Sequence, residues 1–354
     1  MMLSETEPKS VTKPATGPDL CTGMRRFVAE VETIYSRVPE DQPIADQRKT
    51  YEKVARHYTR RRPAGIRVQN MTIPTEHGGT LHIRVYRPVE GQSASSPAIL
   101  FFHGGGFALG SIESHDCVVA ELALAASAVA ISVNYRLAPE NPFPAAFEDA
   151  YSAWQFVLAK SDALGIDPAR TIVAGDSAGA ALAAAVCLKA RDLCRRMPAG
   201  QLLIYPVLTA MADLPSYTEQ ANAPMLSAQS LAYFWSLYTE AGEHAHNPLA
   251  APLMASDFGG LPPARIATAH YDPCRDDGAV YAQRLREAGV SVEYRCAARL
   301  THGYLRARAM SPAAAAEFAA LGEGARALLR GGIKPAQEPQ PKTAAQELES
   351  LYVE

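Results

Sequence analysis

The sequence predicts an α/β fold in which a mostly parallel central sheet is flanked by helices. Short apolar runs alternate with helix-forming segments along most of the chain, and this alternation implies parallel strands joined by right-handed crossovers. The run Ala98–Phe102 is apolar throughout, as expected of a central strand covered on both faces. A second run, Arg170–Ala174, leads through a glycine-flanked serine into the small-residue helix Ala178–Leu188.

Length and composition narrow the class of protein. The 354 residues suffice for one large α/β domain with an accessory element. The net charge of −3 gives no electrostatic reason to expect a nucleic acid or an anionic membrane as partner. The first twenty residues lack the apolar core of a signal peptide, and no membrane span is predicted. Because the six cysteines lack metal-site or disulfide-scaffold spacing, we expect a cytoplasmic protein with no metal and no cofactor.

The chain begins with segments that precede the main sheet. Residues 1–18 are polar and contain proline, and we expect a disordered tail there. Over residues 19–60, apolar residues recur at spacings of three and four, which predicts two helices with a break near Pro39 and Pro43. We expect these helices to lie across the sheet as a cap. Alternating residues in Ile66–Ile73 and Leu81–Arg87 flank a glycine pair and predict an antiparallel hairpin.

The predicted elements that follow alternate between helix and strand up to Tyr205. A helix to about Ser127, a strand Val129–Val133, a helix from Pro144 to about Leu164 and a strand Leu202–Tyr205 are expected.

The alternation stops between Pro206 and Leu261. This insertion, at about 207–261, carries five aromatic residues suited to roofing a pocket or, equally, to an ordinary peripheral core: Tyr217, Tyr233, Phe234, Trp235 and Tyr238. Beyond the insertion we expect a strand Arg265–His270, a helix near Gly278–Ala288, a strand Val290–Arg295 and a helix Ala313–Leu329. Residues 333–354 are expected to form a flexible tail.

Gly175-Asp176-Ser177-Ala178-Gly179 joins a predicted strand to a predicted helix. The pattern G-x-S-x-G is typical of the nucleophile elbow of α/β-hydrolases, in which a strained turn presents a serine hydroxyl above the end of a strand. Both glycines are needed because the turn brings its backbone against the neighbouring strand and helix. A purely structural glycine turn remains the alternative for this motif taken alone.

The hydrolase arrangement places the general base after the acid, and both after the nucleophile. Four of the nine histidines follow Ser177: His244, His246, His270 and His302. The first two lie in the insertion, and His270 would need an acid upstream of itself. His302 follows a strand and a short loop, so it is the candidate base.

The acid is expected at the end of the strand before that histidine. Asp272 stands two residues past His270 and fits this position. Asp276 and Asp277 fall where the next helix starts and are explained as N-capping or first-turn carboxylates. A buried Asp272 would fix the tautomer of the His302 imidazole and stabilise the imidazolium.

The central strand ends in His103-Gly104-Gly105-Gly106. Consecutive glycines allow backbone N–H groups to approach a developing oxyanion, and the N–H of Ala178 would supply another donor. A plain glycine turn is the alternative, but two independent motifs in the expected order make it the weaker one.

Together these motifs resemble the hormone-sensitive-lipase-like branch of the α/β-hydrolases, which includes many bacterial carboxylesterases. The resemblance runs from about Pro97 to Tyr304. It is carried by five motifs: His103–Phe107, Tyr135–Glu140, Gly175–Gly179, Tyr271–Asp276 and His302–Tyr304.

The resemblance implies a role for seven residues. Ser177 would be the nucleophile, Asp272 the acid and His302 the base. The oxyanion hole would be formed by the amides of Gly105, Gly106 and Ala178, and His103 would position the glycine loop. It also implies that residues 61–332 form an α/β-hydrolase catalytic domain capped by helices 19–60 and by the insertion. Cys274 and Tyr304 stand where the family often has Leu and Phe, which bears on pocket shape more than on chemistry.

The sequence therefore predicts a serine carboxylesterase for small to medium acyl esters that works through an acyl-enzyme. An amidase or lactonase with the same triad is the alternative that sequence does not separate from it. A ligand-binding receptor on the same fold is less favoured, since such receptors lack a triad member. We expect the protein to act on a small-molecule ester as a monomer or homodimer.

Overall fold

The computed structural model describes residues 18–36, 42–58, 61–91 and 95–332. The two predicted tails lie outside these residues, apart from Pro18. The strands of the described residues are β1 Ile66–Pro74, β2 Thr80–Pro88, β3 Ser96–Phe102, β4 Val129–Asn134, β5 Ile166–Asp176, β6 Gln201–Ile204, β7 Ala264–Tyr271 and β8 Val292–Thr301. These eight strands form one sheet in the order β1-β2-β4-β3-β5-β6-β7-β8.

Strands β3 to β8 are mutually parallel, whereas β1 pairs antiparallel with β2 and β2 pairs antiparallel with β4. The predicted mostly parallel sheet and the predicted hairpin are both confirmed. The hairpin turn is closed by the Gly78 amide, which donates to the Thr75 carbonyl at 3.2 Å.

The helices contribute to two core clusters, one on each face of the sheet. The helices of the described residues are α1 Thr22–Tyr35, α2 Ile44–Tyr58, α3 Ile112–Ala126, α4 Ala145–Ala159, α5 Ser161–Leu164, α6 Ala178–Asp192, α7 Pro215–Glu219, α8 Ala228–Tyr238, α9 Arg275–Glu287 and α10 Pro312–Leu329. Residues of α1, α2, α3 and α10 share one core cluster, and residues of α4, α6, α8 and α9 share the other.

Strand β3 shows how the sequence produces these two clusters. Successive side chains point to opposite faces of a strand. Accordingly Leu100 and Phe102 enter one cluster while Ile99 and Phe101 enter the other, and all four are fully buried. The apolar run that predicted a central strand thus supplies both cores, and it ends at the glycine loop.

Three predicted boundaries are wrong by four residues or more. Strand β5 begins at Ile166 and not at Arg170. The last strand, β8, ends at Thr301 and not at Arg295, because its second half still pairs with β7 through Tyr271 opposite Thr301. Ala298 and Arg299 are exposed and interrupt the alternation in the second half of β8, so the end of this strand is hard to read from the sequence. The helix expected to reach Leu164 ends at Ala159, and the short helix α5 completes the span.

Candidate active site

Ser177 lies at the turn between β5 and α6 with φ 55° and ψ −122°. This left-handed conformation is costly for a residue with a side chain and is found at functional sites. A Cβ on Gly175 would lie 2.3 Å from the carbonyl carbon of Gly179, and one on Gly179 would lie 2.0 Å from the Phe102 oxygen. Both flanking positions therefore require glycine, for the steric reason that the sequence indicated.

The Ser177 hydroxyl is not used to cap α6, although it occupies the N-cap position. Its Oγ lies 2.9 Å from His302 Nε2. The other ring nitrogen, Nδ1, lies 2.8 Å from Asp272 Oδ2. With Nδ1–H donating to the carboxylate, Nε2 is the acceptor for the serine proton.

Each of these three residues comes directly after a parallel strand or at its end. Ser177 follows β5, Asp272 follows β7 and His302 follows β8. Asp272 is fully buried, and its Oδ1 accepts the Cys274 amide at 2.9 Å. The structure thus brings together the three residues that the sequence singled out, and it brings them together in the geometry of proton transfer.

The glycine loop after β3 approaches the serine turn. Gly104 N–H donates to Asp176 Oδ1 at 2.8 Å. The next residues adopt positive φ angles, 132° at Gly105 and 60° at Gly106. Neither of their amides has an acceptor among the described residues. The Ala178 amide belongs to the first turn of α6, where helical N–H groups have no partner within the helix.

His103 is fully buried behind this loop. Its ring stacks on Tyr135 with centroids 4.3 Å apart, and the Tyr135 hydroxyl donates to the His103 carbonyl at 2.6 Å. Burial lowers the pKa of His103 to about 3. The ring is therefore neutral near physiological pH, as a residue that supports the loop by packing should be.

Asp176, the residue directly before Ser177, connects the serine turn to the glycine loop after β3. Besides the Gly104 amide, it contacts His115 Nε2 and the Tyr205 hydroxyl, each at 3.3 Å. Burial alone would raise the pKa of this carboxyl, but His115 and the hydrogen-bond donors outweigh burial and lower it to about 2. Since the folded pKa is below the ordinary value of 3.8, the ionised form stabilises the fold above about pH 4. That stabilisation is lost as pH falls toward 2.

Comparison with known proteins places this site in a family. A family model described as alpha/beta hydrolase fold matches residues 99–306. Esterase LipI of Mycobacterium tuberculosis is 44% identical over 240 residues, which cover 67% of this chain and 74% of LipI. The chain belongs to the α/β-hydrolase family, in its hormone-sensitive-lipase-like branch.

Further relatives of this α/β-hydrolase extend the match. Carboxylesterase NlhH of Mycobacterium tuberculosis is 40% identical over 268 residues, covering 75% of this chain and 83% of NlhH. A hyperthermophilic esterase from the archaeon Pyrobaculum calidifontis has a solved structure that is similar to this one with a TM-score of 0.81. It is 34% identical, and the match covers 86% of this chain and 97% of that one.

The two rival carboxylates of this α/β-hydrolase lie in the first turn of α9, as expected, but neither caps that helix. Asp276 Oδ2 accepts the Ser216 amide at 2.9 Å. Asp277 is fully buried, and its Oδ2 accepts the Leu208 amide at 2.7 Å. Burial raises the pKa of the Asp277 carboxyl well above its ordinary range. Both residues tie α9 to the segment after β6, and neither contacts His302.

A cavity of about 1040 Å³ opens beside the triad of this α/β-hydrolase, and Ser177 and His302 line it. One side is formed by residues of α1 and α2, and the other by the insertion. Of the five insertion aromatics, Tyr233, Phe234 and Trp235 line the cavity. Tyr217 and Tyr238 do not line it and belong to the core.

The two departures from the family pattern do not line this cavity. Cys274 and Tyr304 are fully buried, Tyr304 in an edge-to-face contact with Tyr205 at 5.1 Å between centroids. Neither residue therefore contacts the cavity directly, and an effect on its shape through the packing of its neighbours stays a prediction. Cys274 also lies near Asp272 and His302, a grouping that could in principle hold a metal ion. Burial raises the pKa of the Cys274 thiol well above its usual range, which disfavours the thiolate that a metal would need.

Sequence reasoning missed several residues around the cavity. Tyr51 of α2 lines the cavity, and Arg48 of the same helix donates to the Ala108 carbonyl behind the glycine loop, although this segment carries no recognised motif. Their spacing placed them on an amphipathic helix, but nothing in the sequence indicated the contacts of the individual side chains. Within the described residues, no helix combines the length and apolar character needed to cross a membrane.

Proposed function

We propose that this α/β-hydrolase is a serine carboxylesterase that hydrolyses small to medium acyl esters through an acyl-enzyme intermediate. The observation that carries the proposal is the hydrogen-bonded series Ser177–His302–Asp272 beside the amides of Gly105 and Gly106, which have no acceptor in the part of the chain that the structure describes. The relatives named esterase and carboxylesterase support ester hydrolysis as the reaction.

Acylation follows from the positions of the hydrogen-bonding groups. Ser177 Oγ attacks the ester carbonyl carbon while its proton passes to His302 Nε2. The Asp272 carboxylate stabilises the imidazolium, and the amides of Gly105, Gly106 and Ala178 donate to the oxyanion. Collapse of the tetrahedral intermediate transfers the proton from Nε2 to the leaving alcohol and leaves an acyl-Ser177.

Deacylation repeats these steps with water as the nucleophile. His302 removes a proton from the water, which attacks the acyl carbon, and returns it to Ser177 Oγ as the acid leaves. No step requires a metal ion or an organic cofactor. The cavity of about 1040 Å³ has room for both the acyl and the alcohol parts of a small ester.

A substrate panel tests the reaction class. Purified protein should hydrolyse p-nitrophenyl esters with acyl chains of two to about ten carbons, measured as release of p-nitrophenol. Amide and lactone analogues of the best ester are compared at equal concentration. Faster turnover of an amide or a lactone would replace the ester proposal by the corresponding alternative. No turnover of any of them would favour a ligand-binding protein.

We expect kcat/KM for a short-chain ester to decrease as pH falls from about 8 to about 5. A base must be neutral to accept the serine proton, and imidazole is the side chain whose ordinary change of charge falls in this pH range. The pKa values of His103 and Asp176, about 3 and about 2, lie below this range, so neither group accounts for the decrease. Initial rates at constant ionic strength, with circular dichroism at each pH, measure it. Activity that stays flat from pH 5 to pH 8 would contradict a histidine base.

A further inference from the structure

Helix α2 places one arginine, Arg48, against the segment that continues the glycine loop and against the loop that follows β4. Arg48 Nε donates to the Ala108 carbonyl at 2.8 Å, and Nη2 donates to the Ala138 carbonyl at the same distance. The same guanidinium forms a two-point ion pair with Glu140, at 2.9 and 2.6 Å. All three partners are more than fifty residues away along the chain. The planar, fixed fork of donors in arginine suits such a multiple contact better than lysine would.

The Ala108 carbonyl is part of the turn that shapes the proposed oxyanion hole. The amides of Ala108 and Leu109 both donate to the Gly105 carbonyl, at 3.1 and 2.8 Å. The Ala138 amide donates to the Phe107 carbonyl at 3.0 Å. Residues 105 to 109 therefore form a closed turn, and a group that holds Ala108 also holds the peptides of Gly105 and Gly106.

This turn has a backbone that needs external support. Gly105, Gly106 and Phe107 have successive positive φ angles of 132°, 60° and 60°. Glycine adopts such angles readily, but Phe107 carries a side chain, and its conformation persists only when the surroundings fix it. Ala108 is fully buried, so loss of Arg48 would leave its carbonyl without its side-chain donor in a place that water does not reach.

A second side chain of α2 holds the far end of the same segment. Glu52, one helical turn beyond Arg48, accepts the Ser111 hydroxyl at 2.7 Å. The Ser111 oxygen in turn caps α3 by accepting the amides of Glu113 and Ser114. Arg48 and Glu52 thus contact Ala108 and Ser111 from one face of one helix.

We propose that Arg48 is a positioning residue for the oxyanion hole, so that α2 sets the Gly105 and Gly106 amides in addition to forming a wall of the cavity. Arg48 acts through the backbone of the turn and does not touch the substrate. This inference rests on the proposed esterase function. It predicts a defect in transition-state stabilisation and little change in ground-state binding, because the oxyanion exists only in the transition state and the tetrahedral intermediate.

The test is the substitution Arg48→Met, which keeps an unbranched side chain and removes all five N–H donors. We expect kcat for a short-chain p-nitrophenyl ester to fall about 10- to 100-fold, since a small displacement of catalytic groups has costs of this order. KM should change less than about threefold. The inhibition constant of phenylboronic acid, which forms a tetrahedral adduct with an active serine, should rise by about the same factor as kcat/KM falls.

Lys49→Met is the matched control. Lys49 is the next residue of α2, and its side chain is 79% exposed. The same change there removes a cation from the helix without touching the turn, and it should leave kcat, KM and boronic acid inhibition as in the wild type. Arg48→Lys, which can restore one donor, should fall between Arg48→Met and the wild type. Titration of reactive serine with a phosphonate ester normalises every rate to the number of folded sites.

Three results would overturn the role of Arg48. One is a normalised kcat for Arg48→Met equal to that of Lys49→Met. Another is a rise in KM with kcat unchanged, which would make α2 a binding wall only. The third is a loss explained entirely by fewer titratable sites. A wild-type protein that hydrolyses no ester overturns the proposed function instead, so the two failures are distinguishable.

Discussion

Ser177→Ala is expected to abolish ester hydrolysis, with kcat lowered about 10⁴-fold or more. The change removes the only atom that forms the acyl-enzyme bond, and the remaining oxyanion amides act on a reaction that has no protein nucleophile. Alanine is small enough for the turn, and the Ser177 amide would still donate to the Ile204 carbonyl, at 2.9 Å in the wild type. We therefore expect the fold to persist.

The measurement is kcat on one short-chain ester, with circular dichroism and the thermal midpoint as controls for folding. Labelling by a phosphonate ester should be lost together with activity, which excludes a second reactive serine. A variant that retains a tenth of the wild-type kcat, with contaminating esterase excluded, would remove Ser177 from the mechanism. The assignment of Asp272 and His302 would fall with it.

Asp272→Asn is expected to lower kcat by about 10⁴-fold, the size of the loss known for this change in serine-protease triads. The carboxylate is fully buried and accepts two hydrogen bonds, from His302 Nδ1 and from the Cys274 amide. An asparagine side chain has one oxygen in place of two. If the asparagine NH₂ group faces His302 Nδ1, it favours the tautomer in which Nε2 carries the proton. Nε2 then cannot accept the proton of the Ser177 hydroxyl.

Asp276→Asn and Asp277→Asn are the matched controls for this variant, because they make the same Asp-to-Asn change a few residues later, in the first turn of α9. An asparagine oxygen can still accept the Ser216 amide at 276 and the Leu208 amide at 277. Burial raises the pKa of Asp277 and so favours its neutral carboxylic acid. The neutral amide of asparagine is therefore a close substitute for that group. All three variants should be folded by circular dichroism before kcat is compared. An inactive Asp276→Asn or Asp277→Asn beside an active Asp272→Asn would move the acid to another residue.

The sequence predicted the fold well where the local pattern of a strand is regular. The apolar run of β3 and the alternation in β1 and β2 led to the observed central strand and hairpin. It predicted poorly over β8, where the exposed Ala298 and Arg299 interrupt the alternation, and the end of that strand was placed six residues too early.

The sequence by itself determined which residues stand at the carboxyl ends of the parallel strands. Ser177, Asp272 and His302 could be singled out because such strand ends meet at one edge of a sheet, and because the glycines of the elbow satisfy a local steric need. Only the tertiary structure decided what supports these residues. Arg48 contacts the Ala108 carbonyl sixty residues away, and Phe234 of α8 packs on Gly106. A hydrogen bond to a backbone carbonyl can be made to any residue type, so such long-range contacts leave no pattern in the sequence.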